Sequence, residues 1–386
     1  MHLDRIHHKN VMVRVDFNVP LHQGKIHNTR RISAALPGIR KLLKNGCAVI
    51  LATHLGRPEG KDPSLSTAVL LPKLRDMLAE DISFVDQWPG YRDWEKGNVY
   101  LLENLRFHKG ELECDDAWVN DSLENIDVVV MDAFSCAHRK QGSIWGWVNK
   151  EYTVPGILFD QEVRALKKII DHPKLPMMAV VSGAKISTKT KLIEVLLDRV
   201  DVLVLGGGIA NTLLKAKGYQ VGRSLVDNEL VDYGNKVLET AKSLKKTIIL
   251  PTDVCVLGAD KNCRTVSVHD IDAEDTICDI GQETLQEIIQ HLKGMNTVLW
   301  NGPLGLFEDE RFKKSTVDLA RALADHPGWT VVGGGDTISA LDAEGLLSSM
   351  NYVSMAGGAF MSYIEQQGLP SVTKLYENKK ALEKFL

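Results

Sequence analysis

Short apolar runs rich in β-branched residues recur along the whole chain, and they constrain its fold more than any other feature. They occupy residues 11–17, 48–53, 99–102, 128–132, 177–182, 202–205, 248–251, 298–300, 331–332 and 352–354. Most of these runs are continuous rather than alternating, which is typical of strands buried on both faces. Helical spacing of apolar residues separates them, for example over 32–44, 193–200 and 284–292. This alternation predicts an α/β architecture with parallel sheets.

The chain is long enough, at 386 residues, for two or three domains of ordinary size. One helical pattern over 155–170 lies near the middle of the chain, and the proline-containing sequence at 172–176 ends it. Runs that predict strands lie on both sides of this helix. We therefore expect two doubly wound, Rossmann-like parallel-sheet domains that face a central cleft and are joined by a helix near 155–172.

Charged residues nearly balance, with 46 Lys and Arg against 50 Asp and Glu and a net charge of −4. Nucleic acid or anionic lipid would need a basic field, so we expect neither nucleic acid nor a membrane as a partner. No apolar run approaches the ~20 residues of a membrane-spanning helix, and the first residues lack a signal-peptide core. The scattered cysteines have no zinc or redox spacing, so we expect reduced thiols and a cytoplasmic protein.

Polar, glycine and basic residues follow nearly every predicted strand, where open α/β sheets bind their ligands. In the first half, the basic residues at such positions are Arg31, His54, Arg57, Arg106 and Arg139. Arginine presents a planar fork that suits carboxylate and phosphate oxygens. Each residue alone could be an ordinary surface cation, but their shared placement favours a site for a small polyanion.

Glycines dominate the corresponding positions of the second half. The sequence GGGDT at 333–337 follows an apolar run and opens a predicted helix, whose N-terminal N–H groups favour phosphate. Asp336 could hold Mg²⁺, which prefers carboxylate and phosphate oxygens. Lys185 and Lys189 would project from one face if their segment were helical. Taken singly, these signals also fit a plain turn and two solvated lysines.

Several common catalytic motifs do not occur in the chain. There is no P-loop, no G-x-G-x-x-G fingerprint, no HExxH and no GxSxG. Cys136 and His138 lack an orienting partner, so we interpret Cys136 as a packed or loop thiol rather than a nucleophile. The missing fingerprint argues against a Rossmann-type dehydrogenase, which would otherwise fit the fold class.

A series of longer motifs extends almost from end to end. They are VRVDFNVP (13–20), RISAALP (31–37), THLGRP (53–58), LLENLRFHKGE (101–111), MDAF (131–134), AHR (137–139), SGAKISTK (182–189), LGGGIANT (205–212), LWNGPLGLFE (299–308) and VVGGGDT (331–337). In this order, the motifs resemble those of phosphoglycerate kinases. The resemblance implies an N-terminal 3-phosphoglycerate domain at 1–160 with 367–386 packed back on it, a hinge helix at 161–172 and a C-terminal nucleotide domain at 173–366.

The resemblance implies a phosphotransferase of glycolysis and gluconeogenesis that has a carboxyl group as acceptor. Its reaction is reversible transfer between 1,3-bisphosphoglycerate and MgADP, which gives 3-phosphoglycerate and MgATP. Because the attacking or leaving oxygen is a carboxylate, no general base is needed, and in-line positioning with positive charge supports the transfer. Domain closure would bring the ligands together. Family members are mostly monomers, so we expect a monomer.

Matching positions assign roles to single residues. Those of the phosphoglycerate site are Asp16, Phe17, Asn18, Arg31, His54, Leu55, Gly56, Arg57, Arg106 and Arg139. Those of the nucleotide site are Lys189, Gly206, Gly207, Gly208, Asn301, Pro303, Glu308, Gly334, Gly335, Asp336 and Thr337, with Asp336 as the Mg²⁺ ligand. Those implied to act on the transferring phosphoryl group are Arg31, Lys185, Lys189, Gly357 and Gly358.

Three segments depart from the family pattern. At 135–136, Ser-Cys replaces the usual Gly-Thr, and at 355–356, Met-Ala replaces Thr-Gly. Two tryptophans lie in GSIWGWVNK at 142–150, which we interpret as packing near the domain boundary. The changed loop at 354–359 motivates one alternative, a protein that binds nucleotide and phosphoglycerate without turnover.

Overall fold

A computed structural model describes residues 2–90 and 92–382 as an α/β structure. Its strands are β1 (Asn10–Arg14), β2 (Leu21–His22), β3 (Lys25–Ile26), β4 (Ala48–Ala52), β5 (Ile82–Val85), β6 (Val99–Leu102), β7 (Val128–Met131), β8 (Thr153–Pro155), β9 (Met177–Ser182), β10 (Val202–Gly206), β11 (Thr247–Ile249), β12 (Asp253–Leu257), β13 (Cys263–Ser267), β14 (Thr276–Ile280), β15 (Thr297–Asn301), β16 (Trp329–Gly333) and β17 (Tyr352–Val353).

The α-helices alternate with these strands. They are α1 (Arg30–Lys44), α2 (Leu71–Leu78), α3 (Lys109–Glu113), α4 (Asp116–Ser122), α5 (Ile157–Ile170), α6 (Thr190–Leu197), α7 (Gly207–Ala216), α8 (Val231–Ser243), α9 (Gln282–Leu292), α10 (Lys314–Ala324), α11 (Gly335–Ala343), α12 (Gly358–Gln366) and α13 (Pro370–Leu382). A π-helical turn spans Gly142–Gly146. Within the described residues, no helix is both long and apolar enough to cross a membrane.

The chain divides into two compact units. Unit 1 consists of Met1–Arg164 and Gly368–Leu386, and unit 2 is Ala165–Gln367. The boundary along the chain falls inside α5. The domain limits and the hinge expected from the sequence stay predictions, and residues 1, 91 and 383–386 lie outside the described part of the chain.

Unit 1 is built on a six-stranded sheet of order β5-β6-β4-β1-β7-β8, in which every neighbouring pair is parallel. Successive side chains of a strand point to opposite faces. Accordingly, Met12 and Val13 of β1 belong to two different hydrophobic clusters. The sheet is thus covered on both faces, and this explains why its strands have continuous apolar sequences.

Unit 2 contains a second parallel sheet, of order β11-β10-β9-β15-β16-β17. The predicted α/β class with two parallel sheets is confirmed. A three-stranded antiparallel sheet, β13-β12-β14, was not expected from the sequence. Strand β13 is half exposed and carries polar residues, so it lacks the continuous apolar run that marks the buried strands.

Two local expectations need correction. The helix predicted over 155–170 begins only at Ile157, because Thr153–Pro155 extends as the edge strand β8. Lys185 and Lys189 do not share an α-helix, since Ile186–Thr188 forms a 3₁₀ turn between them and α6 begins after Lys189.

The tryptophan-rich segment and the C-terminal helix both pack within unit 1. Trp147 is fully buried and stacks on Trp118 with ring centroids 6.4 Å apart. Helix α13 packs against β8. There, Ser371 Oγ donates to the carbonyl oxygen of Ala137 at 2.6 Å, and Asn378 Nδ2 donates to that of Val148 at 2.7 Å.

Candidate functional site

An ion pair fixes the first of the predicted arginines in unit 1. Arg31 lies in the first turn of α1 and donates from Nη1 to Oδ2 of Asp16 at 2.6 Å. Asp16 follows β1 and is mostly buried. The same carboxylate oxygen accepts a hydrogen bond from Ser135, one of the residues that depart from the family pattern. Asp16 therefore orients Arg31, and Ser135 adds a contact that sequence reasoning did not find.

The other cations lie close enough to repel one another. Burial and the charges of Arg57, Arg14 and Arg31 lower the pKa of Arg139. Burial, followed by the charges of Arg14, Arg139 and Arg31, holds the pKa of His54 well below its usual value. Since like charges raise each other's free energy, this cluster attracts an anion.

Hydrogen bonds hold the loop that follows β4. Asn18 Oδ1 accepts from the backbone N–H of Gly56 at 2.9 Å, and Arg106 Nη1 donates to the carbonyl oxygen of Gly56. Arg106 is almost fully buried. Its Nε lacks a hydrogen-bond partner within the part of the chain that the structure describes. An unpartnered buried donor is costly, so this nitrogen is held in place at the expense of stability.

The side chains of two predicted site residues lie in the protein core and not in the site. Phe17 and Leu55 are buried in the hydrophobic core of unit 1. The backbone N–H of Phe17 donates to Thr53 Oγ1 at 3.0 Å. Any role of these two residues therefore rests on their backbone and on how they fix the adjoining loops.

Unit 2 contains a cavity of about 620 Å³ at the carboxyl ends of its parallel strands. The predicted residues that line it are Lys185, Lys189, Gly207, Gly208, Asn301, Pro303, Glu308, Gly334, Gly335, Asp336 and Thr337. Gly206, Gly357 and Gly358 are not among the lining residues. The apolar lining also includes Leu225, Ile277 and Met361, which no motif indicated, and two residues of the motif at 299–308, Leu304 and Leu306, to which no role was assigned. Ile277 belongs to the antiparallel sheet, which has no continuous apolar run, so no sequence pattern indicated this residue.

Lys189 is the most strongly held cation of this cavity. Its Nζ donates to the carbonyl oxygen of Ser182 and to Oδ1 of Asn301, both at 2.6 Å. Burial lowers the pKa of Lys189 to about 8, although the charge of Asp336 opposes this shift. Lys185, by contrast, is exposed. The cavity thus holds one preorganised cation beside the start of α11.

The turn after β15 requires a glycine. Gly302 has φ +101°, and a Cβ there would lie 2.0 Å from the carbonyl oxygen of Ser182. Its N–H donates to Thr337 Oγ1 at 2.7 Å, and Asn301 Nδ2 donates to the carbonyl oxygen of Gly333 at 2.9 Å. These contacts tie the end of β15 to the beginning of α11.

The left-handed turn of the altered loop at 354–359 falls on a glycine, not on the alanine that departs from the family pattern. Ala356 is absent from the positive-φ residues of the described chain, whereas Gly357 has φ +54° and precedes α12. The N–H of Ala356 donates to Ser354 Oγ at 3.2 Å. This N–H is therefore already hydrogen-bonded within the loop.

The acidic side chains of the cavity suit a metal that arrives with phosphate. Among residues 2–90 and 92–382, no group of three or more His, Cys, Asp or Glu could hold a metal ion. Asp336 offers one exposed carboxylate in the first turn of α11. Mg²⁺ commonly takes one or two carboxylates and fills its remaining positions with phosphate oxygens and water. The donor set fits Mg²⁺ carried by a nucleotide rather than an all-protein metal cage.

Comparison with known proteins identifies the family of the chain. The family model for phosphoglycerate kinase matches residues 2–367. Phosphoglycerate kinase from Francisella tularensis subsp. novicida is 42% identical over 376 residues, covering 96% of each chain. The Coxiella burnetii enzyme is 40% identical over 384 residues, covering 98% of each chain.

Solved structures of similar proteins extend the comparison. Phosphoglycerate kinase from Coxiella burnetii has a TM-score of 0.90 at 39% identity, covering 96% of this chain and 97% of that one. Phosphoglycerate kinase from Pyrococcus horikoshii has a TM-score of 0.85 at 30% identity, covering 97% of each. The chain therefore belongs to the phosphoglycerate kinase family.

Proposed function

We propose that this protein catalyses phosphoryl transfer between 1,3-bisphosphoglycerate and MgADP, giving 3-phosphoglycerate and MgATP. The family assignment supports a phosphotransferase with a carboxyl acceptor. The observation that carries the proposal for this chain is the contrast between its two sites, a cluster of cations in unit 1 and a cavity beside a helix N-terminus in unit 2. The cation cluster suits a phosphorylated carboxylic acid, and the cavity suits a nucleotide.

Unit 1 would bind the phosphoglycerate through its cation cluster. Arg57, Arg106 and Arg139 provide donors for carboxylate and phosphate oxygens, and Asn18 orders the adjoining loop through Gly56. Arg31, oriented by its ion pair, would donate to the phosphoryl group in transfer. Closure of the two domains over their ligands, which the family resemblance implies, stays a prediction.

Unit 2 would bind the nucleotide. The base and ribose would occupy the apolar part of the cavity near Pro303 and Glu308, and the phosphates would face Lys189 and the N-terminus of α11. Asp336 would hold Mg²⁺, which when bound shields the phosphate charges. Lys189 would donate to the moving phosphoryl group, because its Nζ already lies at the carboxyl end of β9.

No general base is required by this reaction, since the acceptor carboxylate is ionised at neutral pH. The residues bind, orient and neutralise charge, which is how proteins accelerate phosphoryl transfer in general. The helix start at Gly357 and Gly358 would supply further N–H donors.

The proposal is tested by measuring ATP-dependent formation of 1,3-bisphosphoglycerate in an assay coupled to an NADH-dependent dehydrogenase. We expect turnover that depends on both 3-phosphoglycerate and Mg²⁺. Binding of both ligands by calorimetry without turnover would instead identify a non-catalytic binder, the alternative that the 354–359 loop suggests. Light scattering after size-exclusion chromatography tests the proposed monomer.

Replacing the carboxylate of Asp336 tests the metal assignment. In Asp336→Ala, we expect the KM for the magnesium nucleotide to rise at least about ten-fold, since mutation of even the outer partners of a metal ligand commonly costs 10–100-fold. The KM for 3-phosphoglycerate should change little. Asp342→Ala, which removes a carboxylate farther along the same helix, is the control. Unaltered magnesium-nucleotide affinity in Asp336→Ala would contradict the assignment.

A further inference from the structure

Four buried side chains of unit 1 form a continuous chain of hydrogen bonds that ends at His54. Arg14 Nη2 lies 3.2 Å from His54 Nδ1, and Arg14 Nε donates to Ser143 Oγ at 2.9 Å. Ser143 Oγ donates to Glu111 Oε1 at 2.7 Å, and its backbone N–H donates to Oε2 of the same carboxylate at 2.5 Å. Arg14, Ser143 and Glu111 are 0% exposed, and His54 is 1% exposed.

This arrangement determines which ring nitrogen of His54 carries the proton. A guanidinium has only donors, so His54 Nδ1 must accept the hydrogen bond from Arg14. The proton of the neutral ring therefore resides on Nε2. In the described residues, the bond from Arg14 is the only hydrogen bond of the ring, so Nε2–H remains available for a ligand oxygen. His54 is held neutral by burial and by the charges of Arg14, Arg139 and Arg31.

Glu111 explains how a fully buried arginine can be kept there. An unpaired buried cation is costly, and Arg14 is fully buried beside other cations. Burial raises the pKa of Glu111, and the charge of Arg14 together with the hydrogen bonds from Ser143 opposes this shift. Ser143 separates the two charges and accepts from one while it donates to the other. Arg14 is thus turned towards His54 instead of pairing directly with the carboxylate.

We propose that Glu111 and Ser143 act as positioning residues, which hold Arg14 so that His54 presents its Nε2–H to the phosphoglycerate. The proposal rests on the proposed function, because His54 is assigned to the phosphoglycerate site there. Arg14 also donates from Nη1 to the carbonyl oxygen of Val15 at 2.6 Å. Its side chain is therefore hydrogen-bonded to Ser143, Val15 and His54, all within the protein interior. None of the three residues needs to touch the ligand.

The most direct test removes only the hydroxyl of Ser143. In Ser143→Ala, Arg14 can approach Glu111 directly and withdraw from His54. Long-range ¹H–¹⁵N NMR of the ligand-free protein at pH 7 should show a pure Nε2–H tautomer of His54 in the wild type and a mixture in the variant. A wild-type Nδ1–H tautomer, or an unchanged pure tautomer in the variant, overturns the proposal. This readout needs no turnover, so it is independent of whether the proposed function holds.

Steady-state kinetics supplies the second readout. We expect the KM for 3-phosphoglycerate to rise about five-fold in Ser143→Ala, the loss of one net hydrogen bond, with kcat changed less than about two-fold. In a His54→Ala background, adding Ser143→Ala should raise this KM no further, because the effect passes through His54. Additive losses in the double variant contradict the proposal.

Two further variants complete the design. Ser122→Ala is the matched control, since Ser122 is another buried serine of unit 1, bonded to Val119 and Trp147, away from His54. It should leave the tautomer and the KM unchanged. If Ser143→Ala does not fold, Arg14→Met removes every donor to His54 Nδ1 while keeping a side chain of similar length. It should give the same tautomer mixture, and a pure Nε2–H tautomer in Arg14→Met overturns the proposal.

Discussion

In unit 1 the candidate site consists of charged side chains, whereas in unit 2 much of it consists of backbone. Arg31 owes its position to an ion pair with Asp16, and its neighbours are further cations. In unit 2, a turn at Gly302 and the first residues of α11 form one wall of the cavity, with Lys189 as its held cation. In the proposed function, unit 1 would therefore recognise its ligand by charge, and unit 2 would recognise its ligand largely by shape.

The difference predicts different sensitivities to mutation. A site of long side chains tolerates small volume changes but loses function when one charge is removed. A site of backbone amides tolerates the loss of many side chains, but an added Cβ can destroy it. The following predictions test this contrast.

The largest effect is expected from Gly302→Ala. Its positive φ disfavours alanine, and the new Cβ would meet the carbonyl oxygen of Ser182 at 2.0 Å. We expect the free energy of unfolding to fall by about 4 kcal/mol or more, with loss of nucleotide binding. Urea unfolding and calorimetry with MgADP measure the two quantities.

Gly294→Ala is the matched control for this substitution. A Cβ there would meet its nearest neighbour, the carbonyl oxygen of His291, at an ordinary 3.9 Å. It should leave the free energy of unfolding within about 1 kcal/mol of the wild type. Equal effects of the two glycine substitutions would show that the turn at 302 tolerates a side chain, and the proposed contrast between the units would fail.

Removal of the Arg31 charge tests the side-chain site. In Arg31→Ala we expect kcat to fall by about 10²–10³-fold, the usual cost of a donor aimed at developing charge. Nucleotide affinity should be nearly unchanged, since Arg31 belongs to unit 1. Arg40→Ala, on the exposed side of the same helix, is the control. Comparable losses of kcat and nucleotide affinity would contradict the role of Arg31.

Sequence patterns could predict much of the fold because its central strands are buried on both faces. Their continuous apolar runs identify β4, β7 and β9 to within one residue, whereas the run at 11–17 extends three residues beyond the end of β1. The antiparallel sheet β13-β12-β14 has no such run, and β8 spans only Thr153–Pro155. Hydrophobic pattern thus reports burial on both faces, and it says little about exposed or very short strands.

The same limit applies to the candidate sites. Charged and glycine residues at strand ends were visible as motifs, because their chemistry is unusual at such positions. The partners behind them were not, since Arg14 and Glu111 resemble ordinary surface charges until their complete burial is known. Ser135 was noted only as a departure, and its hydrogen bond to Asp16 depends on how distant segments meet.

The two units also share one device, a buried aspartate whose carboxyl group accepts a hydrogen bond from a backbone N–H in the first turn of a helix. Asp132 Oδ1 accepts from the N–H of Phe159 in α5 at 3.0 Å, and Asp279 Oδ2 accepts from that of Ser315 in α10 at 3.1 Å. Burial raises the pKa of each carboxyl group to about 6. Because the unfolded pKa lies near 3.9, the folded state binds more protons between about pH 4 and 6, and stability falls as pH rises through this window.

Asp132→Asn tests this device, since asparagine can still accept the hydrogen bond but does not titrate. We expect the free energy of unfolding of the variant, measured relative to that of the wild type, to be about 2 kcal/mol higher at pH 7 than at pH 4.5. Asp279→Asn should respond in the same direction in unit 2. Urea unfolding at both pH values measures the difference. If the difference in unfolding free energy between variant and wild type were the same at both pH values, the pKa of the Asp132 carboxyl would not be raised by folding.

The smallest expected effect concerns the charge of Lys189. Its pKa of about 8 means that the ammonium form is lost as pH rises through 8, and with it the attraction for nucleotide phosphates. We expect kcat/KM for the nucleotide, which reports the free enzyme, to fall about ten-fold between pH 7 and pH 9. Lys189→Arg retains its charge in this range, so its profile should be flat, although its absolute rate is lower because the guanidinium cannot replace the two short contacts of Nζ. A flat wild-type profile would mean that Lys189 stays charged, and then unit 2, like unit 1, would rely on a permanent cation for its ligand.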